Sequence, residues 1–183
     1  MSVAVASLSG SKSQLQNYFE LFGLPENFKI DTAALDAAYL LIQQQVHPDK
    51  HVTADDAQKR ASLQLATYAN SAYQTLRNPI KRGLYLCELA GLDAALETNT
   101  AMPKDFLMQQ MEWREELDDA GDDSVKIEAL FAQVVSTKDE YLKEVADLID
   151  VNNDKSAALD KLRATLFMDR FQDEIDDVMS NLL

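Results

Sequence analysis

The sequence predicts an all-α chain built as two helical domains, and three observations carry that reading. Only four prolines and five glycines occur in 183 residues, among many Ala, Leu, Gln and acidic side chains that favour helix. Apolar residues recur at spacings of three and four in block after block. Between residues 91 and 102 this periodicity lapses into small and polar residues (GLDAALETNTAM), which reads as a linker or turn between domains. A chain of this length can bury a real core in one large or two small domains.

The elements follow in order. Residues 1–16 (MSVAVASLSGSKSQLQ) are small and polar, with one Lys and no Arg. They lack the apolar run of a secretory signal and the Arg content of a transit peptide, and read as a disordered tail. A short apolar segment from Tyr18 to Leu24 is terminated by Gly23 and Pro25. Asp31 or Thr32 can then cap a second helix, whose apolar face is Leu35, Ala38, Tyr39, Ile42 and Val46. That helix must end near Val46, because Pro48 biases His47 away from the α region. A third helix is expected from about Ala54 to Leu76, burying Leu65, Ala69, Ala72, Tyr73 and Leu76. Asn78-Pro79 breaks it, and Pro79 can open a fourth helix through Ile80, Leu84 and Cys87 to Gly91.

Beyond the linker, residues 103–183 predict three long helices over about 103–119, 123–150 and 154–182. Turns at Gly121-Asp122 and Asn152-Asn153 make them antiparallel neighbours in a bundle. The middle helix holds the clearest stripe: Ile127, Leu130, Phe131, Val134, Tyr141, Leu142, Val145, Leu148 and Ile149. The last helix carries two apolar sides. Leu159, Leu162 and Leu166 form one, and Met168, Phe171, Ile175, Met179 and Leu182 the other; the pattern does not choose between them.

Charge narrows the function. The net charge is −14. Residues 1–100 carry 8 basic and 10 acidic side chains, and residues 101–183 carry 9 and 21. So acidic a surface repels phosphate backbones and anionic lipid, and neither nucleic acid nor membrane is an expected partner. No apolar run is long enough to span a bilayer. The single Cys87 excludes an intrachain disulfide and any all-Cys metal site.

Two features bear on function. The first is His47-Pro48-Asp49-Lys50, a loop between two amphipathic helices. Pro48 fixes φ near about −65° and removes a donor, so the flanking imidazole, carboxylate and ammonium are held at a sharp exit. Such a rigid loop suits docking onto a charged partner; taken alone, it reads more readily as a helix end followed by a polar turn.

The context of that loop resembles the J-domain: a short first helix, a second ending in His-Pro-Asp, and a third packed antiparallel. Residues 70–82 (NSAYQTLRNPIKR) are similar to that family's AYxxLxxPxxR ending. Residues 18–24 (YFELFGL), 84–86 (LYL) and 106–118 (FLMQQMEWREELD) resemble the HscB-type J-domain co-chaperones in particular, and the likeness spans about residues 17–183. It implies a J-domain over 17–90, a linker over 91–102 and a scaffold-binding three-helix bundle over 103–183. It also implies a non-enzymatic protein without a cofactor, which contacts the DnaK-like chaperone HscA through His47, Pro48, Asp49 and Lys50 and stimulates its ATPase. The client of such proteins is the iron–sulfur scaffold IscU, in iron–sulfur cluster assembly. The lone cysteine leaves no Cys-rich zinc module of the animal kind, and with the weak leader this points to the bacterial cytoplasm ahead of the mitochondrial matrix. One departure stands out: J-domains usually carry basic residues along the second helix, and residues 33–46 here contain no Lys or Arg. The nearby cations are Lys50, Lys59, Arg60, Arg77, Lys81 and Arg82.

The second feature needs no family. On a helix at about 100° per residue with Phe106 at zero, Gln110, Trp113 and Leu117 fall within about 40° and define the core face. Leu107, Met108 and Met111 fall between about 100° and 200°, with Glu115 among them and Glu112 and Asp119 just beyond. A small apolar cluster with a carboxylate rim marks a contact surface, and Met adapts to irregular partners. The plain alternative is packing against the first domain or another bundle helix. In HscB-like proteins this face, with a Phe from the last helix, binds IscU. The positions implied here are Leu107, Met108, Met111, Glu112, Glu115, Asp119 and Phe167, with Met111 for the usual Leu and Asp119 for the usual Glu.

Other patterns fall short. Asp150-x-Asn152-x-Asp154 opens like a calcium loop, but Lys155 and Lys161 occupy the turn-Gly and bidentate-Glu positions. His47 and His51 have zinc-ligand spacing, yet Pro48 breaks the helix that would align them. No Gly-rich phosphate loop exists, and Cys87 reads as a buried small hydrophobe without a triad. Two other functions stay in view: a general J-protein recruiting DnaK to another client, and an enzyme using paired carboxylates with His47.

Overall fold

The computed structural model describes residues 17–46, 55–93 and 102–182. Among them are seven helices and no strand: α1 Tyr18–Phe22, α2 Thr32–Val46, α3 Asp56–Arg77, α4 Pro79–Leu89, α5 Lys104–Ala120, α6 Ser124–Asp150 and α7 Lys155–Asn181. The expected tail, the His47–Lys50 loop with its paired histidines, and most of the expected linker lie outside the described residues. No helix among the described residues is long and apolar enough to cross a membrane.

Local chemistry sets each helix end. Asn17 and Glu20 form a reciprocal capping box at α1, and Gly23 closes it in the left-handed region at φ 66°. Asp31 accepts from the backbone N–H groups of Ala33 and Ala34, so it is Asp31 rather than Thr32 that caps α2. Asp55, Asp123 and Asp154 cap α3, α6 and α7 in the same way. The carboxylate of Asp154 is thus engaged by Ala157 N–H at 3.0 Å. Asn78 accepts from Lys81 N–H at the start of α4, where Pro79 has no donor to lose.

The described residues form two compact units divided between Arg82 and Gly83, inside α4. In the first, α2 and α3 are an antiparallel hairpin. Tyr39 stacks on Tyr73 at 4.2 Å, Tyr39 donates to Asn70 and Tyr73 donates to Asp36. Short α1 covers the pair with buried Phe19 and Phe22, and Tyr18 meets Tyr68 edge-on. Arg82 is buried here. Its guanidinium donates to the carbonyls of Phe28 and Leu76 and lies over the Phe28 ring, tying α4's first turn to the loop before α2.

The second unit is a bundle in which α6 and α7 run antiparallel and α5 packs against them. Its core is Phe106, Trp113, Ile127, Leu130, Val134, Met168, Phe171 and Ile175. Both apolar sides of α7 are used. Met168, Phe171 and Ile175 enter that core, while Leu159 and Leu162 are buried nearer its start. There the end of the preceding segment also rests on α7. Cys87 Sγ contacts the carbonyl of Lys155 at 3.5 Å, and Arg163 donates to the carbonyl of Asp93. Lys138–Asp169 and Lys161–Glu144 pairs register α6 against α7.

Candidate interaction face of the second unit

One side of α5 meets the bundle. Phe106 is 4 % and Trp113 1 % exposed, with Gln110 and Leu117 half-buried, as the periodicity predicts. The opposite side is open. Leu107, Met108 and Met111 are 43, 53 and 63 % exposed, so the alternative in which they pack into the bundle does not hold. Their apolar side chains form a patch that burial would stabilise at roughly 25 cal/mol per Å². Glu112, Glu115 and Asp119 are exposed on the same helix, and Glu112 accepts from Gln109 Nε2 at 3.1 Å.

Phe167 of α7 is half-buried and belongs to this region by a different route. Its ring meets Phe106 edge-on at 5.9 Å and stacks on Phe171 at 6.1 Å. Arg114 lies over both Phe167 and Phe171, with Cζ 5.8 and 5.6 Å from the ring centroids, and pairs through both its terminal nitrogens with Glu174 at 3.2 and 3.3 Å. At about 80° from Phe106, Arg114 shares a flank of α5 with Leu107 at about 100°. Phe167 therefore sits at the seam beside that flank. Arg114 is the residue that sequence reasoning passed over; its position between core face and apolar cluster was the available signal.

Chemically, such an arrangement suits recognition. Exposed thioethers and an aliphatic side chain supply an adaptable apolar centre, and carboxylates supply a charged rim. Among the described residues no three His, Cys, Asp or Glu side chains are grouped to hold a metal. The thiol of Cys87, in the same unit, is pushed up to about 11 by burial, with Lys155 and Arg163 pulling the other way. It is a packed hydrophobe rather than a nucleophile.

Comparison with known proteins gives this geometry its family. Residues 102–176 match the HSCB C-terminal oligomerisation domain. The chain is 42 % identical over 172 residues to the co-chaperone protein HscB homolog of Ralstonia nicotianae, covering 93 % of this chain and 98 % of that one. It is 47 % identical over 161 residues to the homolog of Burkholderia multivorans, covering 87 and 91 %. The solved chaperone HscB from Vibrio cholerae superposes with a TM-score of 0.80 at 33 % identity, over 92 % of this chain and all of that one. Human co-chaperone protein HscB superposes with a TM-score of 0.84 at 28 % identity, over 91 and 83 %. With helices and no strand among the described residues and relatives aligned along nearly its whole length, the chain belongs to the HscB co-chaperones, a non-catalytic family.

Proposed function

We propose that this co-chaperone binds the iron–sulfur scaffold IscU and delivers it to the DnaK-like chaperone HscA, whose ATPase it stimulates. In this reading Leu107, Met108 and Met111 form the apolar centre of the scaffold site. Glu112, Glu115 and Asp119 form its rim, and Phe167 its edge. His47, Pro48, Asp49 and Lys50 engage the chaperone. The domain assignment follows: a J-domain over 17–90 for the chaperone, and a bundle over 103–183 for the client.

The observation that carries the client half is the exposure of three large apolar side chains on the side of α5 away from Phe106 and Trp113. A helix whose core face is already filled has no structural use for a second apolar face, and a partner does. The chaperone half rests on the resemblance of residues 47–50 and their flanks to the J-domain motif. A protein with these two surfaces performs no chemistry. It raises the local concentration of client at the chaperone, as linked binding modules do.

The test is stimulation of ATP hydrolysis in HscA, with and without IscU, by the native chain and by His47→Gln. The native chain should stimulate, and IscU should enhance the effect. His47→Gln should abolish it while moving stability by no more than about 0.5 kcal/mol, as for a surface turn residue. Full stimulation by folded His47→Gln would remove the role of the loop. Stimulation of DnaK but not HscA would favour the general J-protein instead.

A further inference from the structure

Helix α2 shows solvent an arc that packing within the first unit does not explain. Leu35 and Val46 are buried on one side of the helix. On the other, Ala33, Ala34, Ala37, Leu40, Leu41 and Gln44 are all exposed and lie within about 60° of Ala37. Leu40 and Leu41 are 58 and 51 % exposed. Asp36 is the only charged residue of α2. It stands about 100° from Ala37 and is held by the Tyr73 hydroxyl and, more loosely, by Arg77. The solvent face of a helix ordinarily carries charge. Of the seven helices, α2 alone has no charged residue among its exposed positions.

The arc has both a register and a size gradient. Ala34, Ala37, Leu41 and Gln44 follow one another at three, four and three residues, the spacing of a coiled-coil seam. That spacing reads the same in both directions, but side-chain size does not: alanines fill the first half, Leu and Gln the second. Two copies of α2 laid antiparallel about a two-fold axis set Leu41 of each against Ala37 of the other, and Gln44 against Ala34. Large side chains then cover small ones, and the helix axes can approach to about 8 Å. Laid parallel, Leu41 would meet Leu41 while Ala37 faced a gap, and like ends of the two helix dipoles would adjoin.

We infer that α2 is the contact of a weak antiparallel homodimer of this chain, separate from the apolar face of α5. Charge favours a second copy at α2 and disfavours one at α5. Residues 17–82 carry seven basic and seven acidic side chains, against nine and 24 in residues 83–183. Copies meeting through the first unit bring no net charge together, whereas copies meeting through α5 bring carboxylate rims together. An uncharged arc also gives a charged foreign partner nothing to pair with, while its own gradient, inverted, fills it. One pair of helices about 22 Å long covers less than the roughly 800 Å² per partner of a standard complex, so the dimer forms only at high concentration.

Sedimentation equilibrium of the full chain, up to about 500 µM and at low and high NaCl, tests this. The native chain should pass from monomer to dimer over that range, and salt should strengthen the dimer by screening the charge of −14 on each copy. Leu41→Glu sets an unpaired carboxylate in the seam of each copy and should raise the dissociation constant at least about tenfold. Ala37→Leu separates directed packing from undirected adhesion. It adds exposed apolar surface, yet it sets Leu against the partner's Leu41 and should weaken the dimer too. Melting temperatures of dilute samples should stay native, because both positions face solvent. Changing Leu107, Met108 and Met111 to Ala should leave the dimer as it is. A native chain that stays monomeric at the highest concentration and salt overturns the inference. So does a dimer that survives Leu41→Glu, tightens with Ala37→Leu, or is abolished by the changes in α5. Loss of HscA stimulation by Leu41→Glu, with no dimer of the native chain, would give the arc to the chaperone and overturn the inference as well.

Discussion

The ring of Phe167 meets that of Phe106 edge-on at 5.9 Å, so a residue proposed to touch the scaffold is also part of the bundle's packing. Phe167→Ala should therefore act twice. Removing a half-buried ring that contacts Phe106 and Phe171 should cost about 2 kcal/mol, below the value for a fully buried Phe. Scaffold affinity should fall as well. Arg114→Ala removes the cation over that ring and an exposed ion pair, and should cost under about 1 kcal/mol. Urea unfolding of the two variants tests this. A Phe167→Ala chain as stable as the native one would make Phe167 a purely external contact.

Arg82 holds the first unit together in a comparable way. Its buried guanidinium donates to the carbonyls of Phe28 and Leu76. Arg82→Ala would strand both acceptors and should destabilise by about 3 kcal/mol. Arg82→Lys should recover only part of this, because an ammonium cannot reproduce the planar fork. Amide exchange locates the loss: protection should fall in α2 and α3 and stay unchanged along α6 and α7.

Much of this architecture is legible in the chain, and the exceptions have physical causes. The buried face of α5 follows from periodicity because only one side of that helix meets its neighbours, and Phe106 and Trp113 mark it. The same method cannot settle α7. That helix is buried on one side near Leu159 and Leu162 and on another near Met168, Phe171 and Ile175, so no single arc describes it. The cap of α2 was open between Asp31 and Thr32 because both side chains can accept, and only the backbone geometry decides. Arg114 escaped notice because a lone Arg in an acidic helix reads as solvated. Its partners Phe167 and Glu174 lie more than fifty positions away. The angle of Leu107, Met108 and Met111 to Phe106 sets them off the core face, but a second neighbour could still have covered them, and only their exposure in the structure decides.

Cys87 should be silent to thiol reagents in the folded chain. It is fully buried, and burial raises its thiol from 9.0 to about 11. At pH 8 a disulfide reagent should react at least about a hundredfold more slowly than with the unfolded chain. Stability should also depend on pH in one direction. Between pH 9 and about 11 the unfolded thiol gives up a proton that the folded one keeps, so stability falls across that window and is flat just below it. Melting curves of native chain and Cys87→Ala at stepped pH check this, since the variant should lose that part of the slope.

Leu107, Met108 and Met111 changed together to Ala give the sharpest test of the interaction face. All three are exposed in the free protein, and Ala is at least as good a helix former, so the melting temperature should hardly move. Were the face buried, each truncation would cost about 2–5 kcal/mol and the bundle would unfold. Binding should respond in the opposite sense. An apolar anchor at the centre of an interface contributes about 2 kcal/mol or more, so the triple variant should lose scaffold affinity by several orders of magnitude. Neutralising Glu112, Glu115 and Asp119 should instead change the association rate and its salt dependence, as rim charges do. Calorimetric titration and thermal melts on the same preparations separate these effects. A large fall in melting temperature would return this face to the core, and unchanged affinity with an unchanged melt would leave it without a role.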